Sequence, residues 1–245
     1  MRQPDTHIAC TPKPPPEGPP ATTPTEPAPR PEGGVISLET RDDVTLEADY
    51  YPAPEADAPA VVLIHMIPPS YDRSSWPADF IEALADEGWS LIALDRRGAG
   101  GSEGKAREAY EGEYGRYDVE AAALLLEEDD AGPLAVIGAS NGTTSAVDYA
   151  VFAEGEDAPV PAAVVLMTGD TYTETQTDMD DYAELEIPTA FTFSTAERRW
   201  SLVQERGSPD SWVFLEYPDG DHGTDMFAAA PEVTDDILDF LKDVF

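Results

Sequence analysis

Cysteine, histidine and lysine are all scarce in this 245-residue chain, which holds one Cys, three His and three Lys. A single cysteine excludes an intrachain disulfide and a zinc cluster built on cysteines. The histidines, His7, His65 and His222, are too scattered to form an obvious metal site. No apolar run approaches the roughly 20 residues that a transmembrane helix needs. We therefore expect no disulfide, no metal and no membrane-spanning segment.

The charge of the chain is strongly negative, because 50 Asp and Glu face 14 Lys and Arg, for a formal net charge of −36 at pH 7. Nucleic-acid binding needs Lys and Arg to replace the counterions of phosphates, and anionic membrane surfaces also repel such a chain. We expect neither kind of partner. The acidic residues are spread along the whole chain, which we interpret as adaptation to a salty medium whose ions screen their repulsion.

Residues 1–34 differ in composition from the rest, since they contain eleven of the 24 prolines of the chain. Dense proline fixes φ, removes backbone donors and favours extended conformations. The composition predicts a disordered, proline-rich tail or tether over residues 1–34 and one folded domain over residues 35–245.

Cys10 lies in this tail and follows a small residue, Ala9, as at the start of a bacterial or archaeal lipoprotein. Residues 1–7 are polar, however, and form no hydrophobic signal segment. Two interpretations stay open. Either the true start lies upstream and Cys10 carries a lipid anchor on an exported, membrane-tethered protein, or Cys10 is an ordinary tail residue and the protein is cytoplasmic.

The apolar pattern after residue 34 predicts an α/β fold. Residues 35–40 and 44–50 alternate apolar and polar side chains, which predicts an antiparallel hairpin. Short apolar runs typical of strands buried on both faces of a parallel sheet follow at residues 60–64, 91–94, 134–137, 162–167, 190–193 and 212–215. Helical spacing appears between and after them, near residues 80–89, 119–126, 147–152 and 237–244. We expect a mostly parallel central sheet with helices on both faces and the hairpin at its N-terminal side.

A G-x-S-x-G sequence at residues 138–142 stands between a predicted strand and a predicted helix. In that position the serine lies on a tight turn, with its hydroxyl above the carboxyl ends of the strands. Ser140 is therefore the predicted nucleophile. The alternative is a plain glycine-rich turn in which the serine only caps a helix.

A serine hydroxyl needs a base to remove its proton and a carboxylate to orient that base. His222 follows the last predicted strand and stands in the chain order Ser, acid, His, which predicts that it is the base. Glu197, after the run that ends at residue 193, is the preferred acid. Asp170, after the preceding strand, is the alternative, and in a chain with 50 acidic residues either one could be a surface charge.

These segments resemble the α/β-hydrolase family, in particular its dienelactone-hydrolase-like and small carboxylesterase-like serine hydrolases, over most of residues 35–245. The sequence DRRGAGGS at residues 95–102 is similar to the family's D-x-R-G-x-G-x-S loop, and HMIP at residues 65–68 is similar to its H-G-x-P segment. The resemblance implies an α/β-hydrolase fold and acyl-transfer chemistry.

The resemblance also implies an oxyanion hole formed by the backbone N–H groups of Asn141 and Ile67. Met66 is the alternative source of the second N–H group. Met66 stands where glycine is usual in the family, and we expect its thioether to line or narrow the pocket. His65 is expected to link loops through hydrogen bonds.

The predicted function is hydrolysis of small carboxylic esters, with short acyl chains, through an acyl-enzyme and without a metal or organic cofactor. One alternative is an amidase, thioesterase or peptidase with the same triad, because fold and triad do not fix the leaving group. The other is a non-catalytic binding protein on the same fold. The segment from Met167 to Pro188 is too short for a lipase-type lid, and its residues Thr171, Tyr172, Thr173, Thr175 and Tyr182 are expected to form a short polar flap.

Overall fold

The structure, a computed structural model, describes residues 34–245. The predictions of a disordered tail and of a lipid anchor at Cys10 lie outside the described residues. The first strand begins at Gly34, one residue before the expected domain boundary. Among the described residues, no helix is both long and apolar enough to cross a membrane.

One sheet of eight strands organises the described chain. The strands are β1 (Gly34–Glu39), β2 (Thr45–Tyr51), β3 (Ala60–Ile64), β4 (Ser90–Leu94), β5 (Leu134–Ala139), β6 (Ala163–Met167), β7 (Thr189–Ser194) and β8 (Trp212–Tyr217). Their order is β1-β2-β4-β3-β5-β6-β7-β8. β1 and β2 form the predicted antiparallel hairpin, β2 also runs antiparallel to β4, and β3 to β8 are parallel. The predicted fold class is confirmed.

The helices cover both faces of the sheet. They are α1 (Ala78–Asp86), α2 (Gly115–Glu128), α3 (Gly142–Glu154), α4 (Met179–Ala183), α5 (Arg199–Gln204), α6 (Met226–Ala229) and α7 (Val233–Val244). α2 and α3 pack in one hydrophobic core, and α1 and α7 pack in the other. Every residue of β3 to β7 is buried between these layers. β3, β5 and β6 are accordingly apolar throughout, whereas β7 also contains buried Thr and Ser residues.

The four longer helices match the predicted helical segments, whereas α4, α5 and α6 were not predicted. These three helices have five, six and four residues, which is too short for a 3.6-residue period to show in the sequence. The parallel strands all end at the same edge of the sheet. The loops that follow β3, β5, β6, β7 and β8 therefore meet there, and they carry the candidate site residues.

Candidate active site

Ser140 lies in the tight turn between β5 and α3. Its φ is 51°, in the left-handed region that residues other than glycine rarely adopt. Its backbone N–H donates to the carbonyl oxygen of Met167 at 2.8 Å. A Cβ atom at Gly138 would lie 2.7 Å from the carbonyl oxygen of Gly142, and one at Gly142 would lie 2.5 Å from that of Ile64. Only glycine at both positions lets strand and helix approach closely enough to form this turn.

Three of the predicted site residues form one hydrogen-bonded chain. His222 Nε2 lies 2.6 Å from Ser140 Oγ, and His222 Nδ1 lies 2.8 Å from Glu197 Oε1. A neutral imidazole that carries its proton on Nδ1 donates to the carboxylate and accepts the serine hydroxyl proton on Nε2. Ser140 is 4% exposed, whereas the side chains of His222 and Glu197 are 40% and 39% exposed. The arrangement can therefore transfer a proton from a buried hydroxyl to an imidazole that water reaches.

The two candidate acids occupy different positions relative to the imidazole. Glu197 lies in the turn after β7, where its N–H donates to the carbonyl oxygen of Ser194 at 3.0 Å. Asp170 follows β6, and its carboxylate accepts the N–H of Thr171 at 2.7 Å. Within the described residues, Asp170 makes no hydrogen bond to His222. Of the two candidate acids, Glu197 is thus the one that contacts the imidazole.

The backbone N–H groups of Asn141, Ile67 and Met66 donate to no other group within residues 34–245. Asn141 directly follows the nucleophile, and Ile67 and Met66 lie in the loop after β3. All three N–H groups therefore lack a protein acceptor among the described residues. The geometry leaves the choice between Ile67 and Met66 open, as the sequence did.

The side chain of Met66 does not line the pocket as expected. It is 1% exposed and belongs to the core beneath the site. A Cβ atom at Gly223 would lie 2.2 Å from Met66 Sδ and 3.5 Å from Ser140 Cβ. The thioether thus fills space under Gly223, next to the base, where a smaller residue would leave a cavity.

His65 links the loop after β3 to the loop after β4. Its Nδ1 lies 2.7 Å from the carbonyl oxygen of Met66, and its Nε2 accepts the backbone N–H of Arg96 at 2.9 Å. Burial, reinforced by the charge of Arg96, lowers the pKa of His65 to about 3. His65 is therefore neutral at pH 7, and its contacts agree with the structural role expected from the sequence.

Arg96 is a fully buried cation beneath the site. Its guanidinium donates to Asn141 Oδ1 and Ser145 Oγ, both at 2.9 Å, and to the carbonyl oxygen of Ala109 at 2.5 Å. Burial lowers its pKa to about 10, so it stays charged at neutral pH. The residue after the nucleophile is thereby tied to α3 and to the loop before α2. In the sequence, Arg96 stands at a variable position of the family loop, and nothing there indicates this role.

A cleft of about 580 Å³ opens beside His222. Its walls come from the loop after β6, from the turn after β7 and from α5, and they include Thr168, Asp170, Thr171, Tyr172, Glu197, Arg199, Trp200, Val203 and Gln204. The Tyr172 hydroxyl donates to the carbonyl oxygen of Thr168 at 2.7 Å, and burial raises the pKa of Tyr172 to about 12. Two residues of the expected flap therefore line the cleft.

Tyr182, by contrast, does not cover the site. It is completely buried, its hydroxyl oxygen lies 2.6 Å from Thr189 Oγ1, and its ring packs against Trp212. Thr175 accepts the backbone N–H of Gly112 and borders a different pocket. The expected flap is thus reduced to its first residues.

Comparison with known proteins supports the architecture. A model of the alpha/beta hydrolase fold family matches residues 59–206. The chain is similar to the esterase Pf2001 from Pyrococcus furiosus, with a TM-score of 0.68 and 17% identity over 87% of this chain and 93% of that one. It is similar to XC6422 from Xanthomonas campestris, a serine hydrolase without a lid, with a TM-score of 0.67 and 13% identity over 89% and 97% of the two chains. It is also similar to a dienelactone hydrolase from Anabaena variabilis, with a TM-score of 0.64 and 15% identity over 88% and 97%. No curated protein matches the sequence.

Proposed function

Because this chain belongs to the α/β-hydrolase family, we propose that it is a serine hydrolase that cleaves small carboxylic esters through an acyl-enzyme. The observation that carries the proposal is the hydrogen-bonded chain from Ser140 through His222 to Glu197. A glycine-rich turn with a capping serine would need neither the imidazole nor the carboxylate. The family supports the hydrolase class, and the chain of contacts supports the serine mechanism.

In this mechanism, Ser140 Oγ attacks the ester carbonyl carbon while its proton passes to His222 Nε2. The imidazolium is stabilised by Glu197, and it returns the proton to the alcohol as the C–O bond of the ester breaks. Water then attacks the acyl-enzyme as His222 accepts its proton, and the imidazolium returns that proton to Ser140 Oγ as the acyl C–O bond breaks and the carboxylic acid leaves. The partial exposure of His222 gives this water a direct approach.

The tetrahedral intermediate needs hydrogen-bond donors for its oxygen anion. The backbone N–H of Asn141 and that of Ile67, with Met66 as the alternative, are the proposed donors, since they are otherwise unpaired within the described residues. One such donor is worth on the order of 3 kcal/mol in the transition state. The buried Arg96 holds the Asn141 side chain and so fixes the orientation of the first donor.

Three observations favour small esters. The chain between β6 and β7 forms only the short helix α4, so it does not build a large lid. The esterase from Pyrococcus furiosus and the lidless serine hydrolase from Xanthomonas campestris share the fold over most of their lengths. The cleft beside His222 is open and mixed in polarity, as suits a small, partly polar substrate.

A fluorophosphonate probe and a short p-nitrophenyl ester test the proposal together. We expect the probe to label Ser140 of the wild type, and Ser140→Ala to abolish labelling and to lower kcat by at least about 10³-fold. His222→Ala should lower turnover to a similar degree. Ser208→Ala removes another serine, which is half-buried in the loop after α5, and serves as the matched control that keeps both labelling and turnover.

The result that would overturn the serine mechanism is full turnover by Ser140→Ala. Absence of both labelling and turnover in the wild type would instead favour a binding protein on this fold. A parallel series of ester, thioester and amide substrates with one acyl group then ranks the leaving groups, and faster amide cleavage would overturn the ester assignment.

A further inference from the structure

Thr168 has an unusual backbone conformation next to the triad. It directly follows β6, is 3% exposed and has a φ of 49°. A β-branched residue in the left-handed region is a strained exception, because its side chain crowds the backbone. Its N–H is anchored to the carbonyl oxygen of Thr192 on β7 at 2.7 Å. Strain of this kind persists where surrounding contacts enforce it and is often found at functional sites.

The conformation places the Thr168 hydroxyl against the loop that carries the base. Thr168 Oγ1 accepts the backbone N–H of Gly223 at 2.8 Å in a buried hydrogen bond. The preceding residue, Met167, accepts the backbone N–H of Ser140 at 2.8 Å. Two consecutive residues at the end of β6 therefore hold the nucleophile on one side and the residue after His222 on the other.

The loop that carries the base has few other attachments. Within the described chain, the remaining backbone hydrogen bonds of residues 218–223 are local, such as that from the Gly220 N–H to the carbonyl oxygen of Tyr217. The bond from Gly223 to Thr168 is thus the backbone connection of this loop to the centre of the sheet. Met66 packs beneath Gly223 and limits movement from below.

We propose that Thr168 is a positioning residue, whose hydroxyl fixes Gly223 and thereby sets the distance between His222 Nε2 and Ser140 Oγ. The proposal rests on the proposed serine mechanism. Proton transfer depends steeply on this distance, and a displacement of about 1 Å can cost about 10²-fold in rate. The hydroxyl acts through His222 and is not required to touch the substrate.

The test compares Thr168→Val with Thr168→Ser. Valine keeps the size and the branched Cβ but lacks the hydroxyl, so we expect kcat and the rate of fluorophosphonate labelling to fall about tenfold or more, with KM within about twofold of the wild type. Serine keeps the hydroxyl and should restore kcat to within about threefold. Thr192→Val is the matched control and should keep kcat. The Thr192 hydroxyl is buried without a partner among the described residues, and the substitution leaves in place the Thr192 carbonyl that accepts the Thr168 N–H.

Wild-type kcat in Thr168→Val would overturn the proposal, and so would an equal loss in Thr168→Val and Thr168→Ser. If the valine variant does not fold, Thr168→Gly replaces it, because glycine relieves the left-handed strain and also lacks the hydroxyl. Wild-type kcat in that variant would likewise overturn the proposal. A wild type without labelling or turnover would contradict the serine mechanism itself, so the two failures are distinguishable.

Discussion

The charged side chains around the site form two groups that differ in burial. In the exposed pair, the His222 and Glu197 side chains are 40% and 39% exposed. In the buried pair, the Arg97 and Asp118 side chains are 0% and 1% exposed. The exposed pair has the geometry for proton transfer, whereas the buried pair connects secondary-structure elements. The comparison thus separates a pair that faces solvent at the candidate site from a pair that holds the loop after β4 in the fold.

The buried pair shows how such charges fix a loop. Arg97 Nε donates to Asp118 Oδ1 at 2.7 Å, and the Arg97 backbone N–H donates to Asp118 Oδ2 at 2.9 Å. The same guanidinium donates to Asp42, in the turn of the hairpin, at 2.8 Å. One side chain from the loop after β4 is thereby attached to α2 and to the β1–β2 turn. Desolvated charges are costly, so their value lies in mutual satisfaction.

The largest predicted effect on stability comes from breaking the buried pair. Asp118→Asn leaves the Arg97 charge without its main buried partner, and we expect the free energy of unfolding to fall by about 3–5 kcal/mol, measured by urea denaturation. The folded fraction should keep its kcat. Glu111→Gln, which breaks the exposed ion pair with Arg107, is the control and should leave stability unchanged. Equal effects of the two variants would contradict the comparison.

Breaking the exposed pair should have the opposite signature. In Glu197→Gln the amide no longer stabilises the imidazolium, and we expect kcat to fall about 10²-fold or more while the urea midpoint stays unchanged. Asp170→Asn is the matched control and should retain kcat within about twofold. If instead Asp170→Asn lost most of the activity and Glu197→Gln retained it, the acid would be assigned wrongly.

His65 is another buried group, and its burial makes the free energy of unfolding depend on pH. Its pKa is about 3 in the folded state and ~6.5 when unfolded, so the unfolded chain binds more protons between these values. Its contribution to stability is complete above ~6.5 and is lost as pH falls toward 3. We expect about 2 kcal/mol of this loss between pH 7 and pH 5. The decrease over that interval should be smaller in His65→Gln by this amount, and an equal decrease in both proteins would exclude the effect.

The parts of the molecule that sequence predicts are those with a local signature. Buried parallel strands give continuous apolar runs, and the tight turn at Ser140 requires glycine at positions 138 and 142, so both are visible in a few adjacent letters. Glu197 and Asp170 each follow a strand, and only the position of the loop after β8 distinguishes them. Which of the two acids contacts His222 therefore depends on the tertiary structure.

Other features have no local signature at all. The Thr168 hydroxyl and the Gly223 N–H are 55 residues apart, and their contact depends on the left-handed backbone at Thr168. Met66 replaces a usual glycine of the family, which indicates an unusual loop but not that the thioether packs beneath Gly223. Such contacts are specified by packing, where volume and direction matter more than residue class.

Salt should affect the exposed acidic residues and the buried Arg97–Asp118 pair differently, and its effect on stability is the smallest of those predicted. The net charge of −36 makes the exposed acidic residues repel one another, and raising NaCl from 0.1 to 1 M shortens the screening length from about 10 to about 3 Å. We expect the free energy of unfolding to rise, on the order of 1 kcal/mol, with KCl giving the same change as NaCl.

The difference in the free energy of unfolding between the wild type and Asp118→Asn should stay constant across this range, because water and ions do not reach the buried pair. A stability that falls with salt would contradict the interpretation of the acidic surface, and a difference that shrinks with salt would show that the Asp118 pair is screened after all.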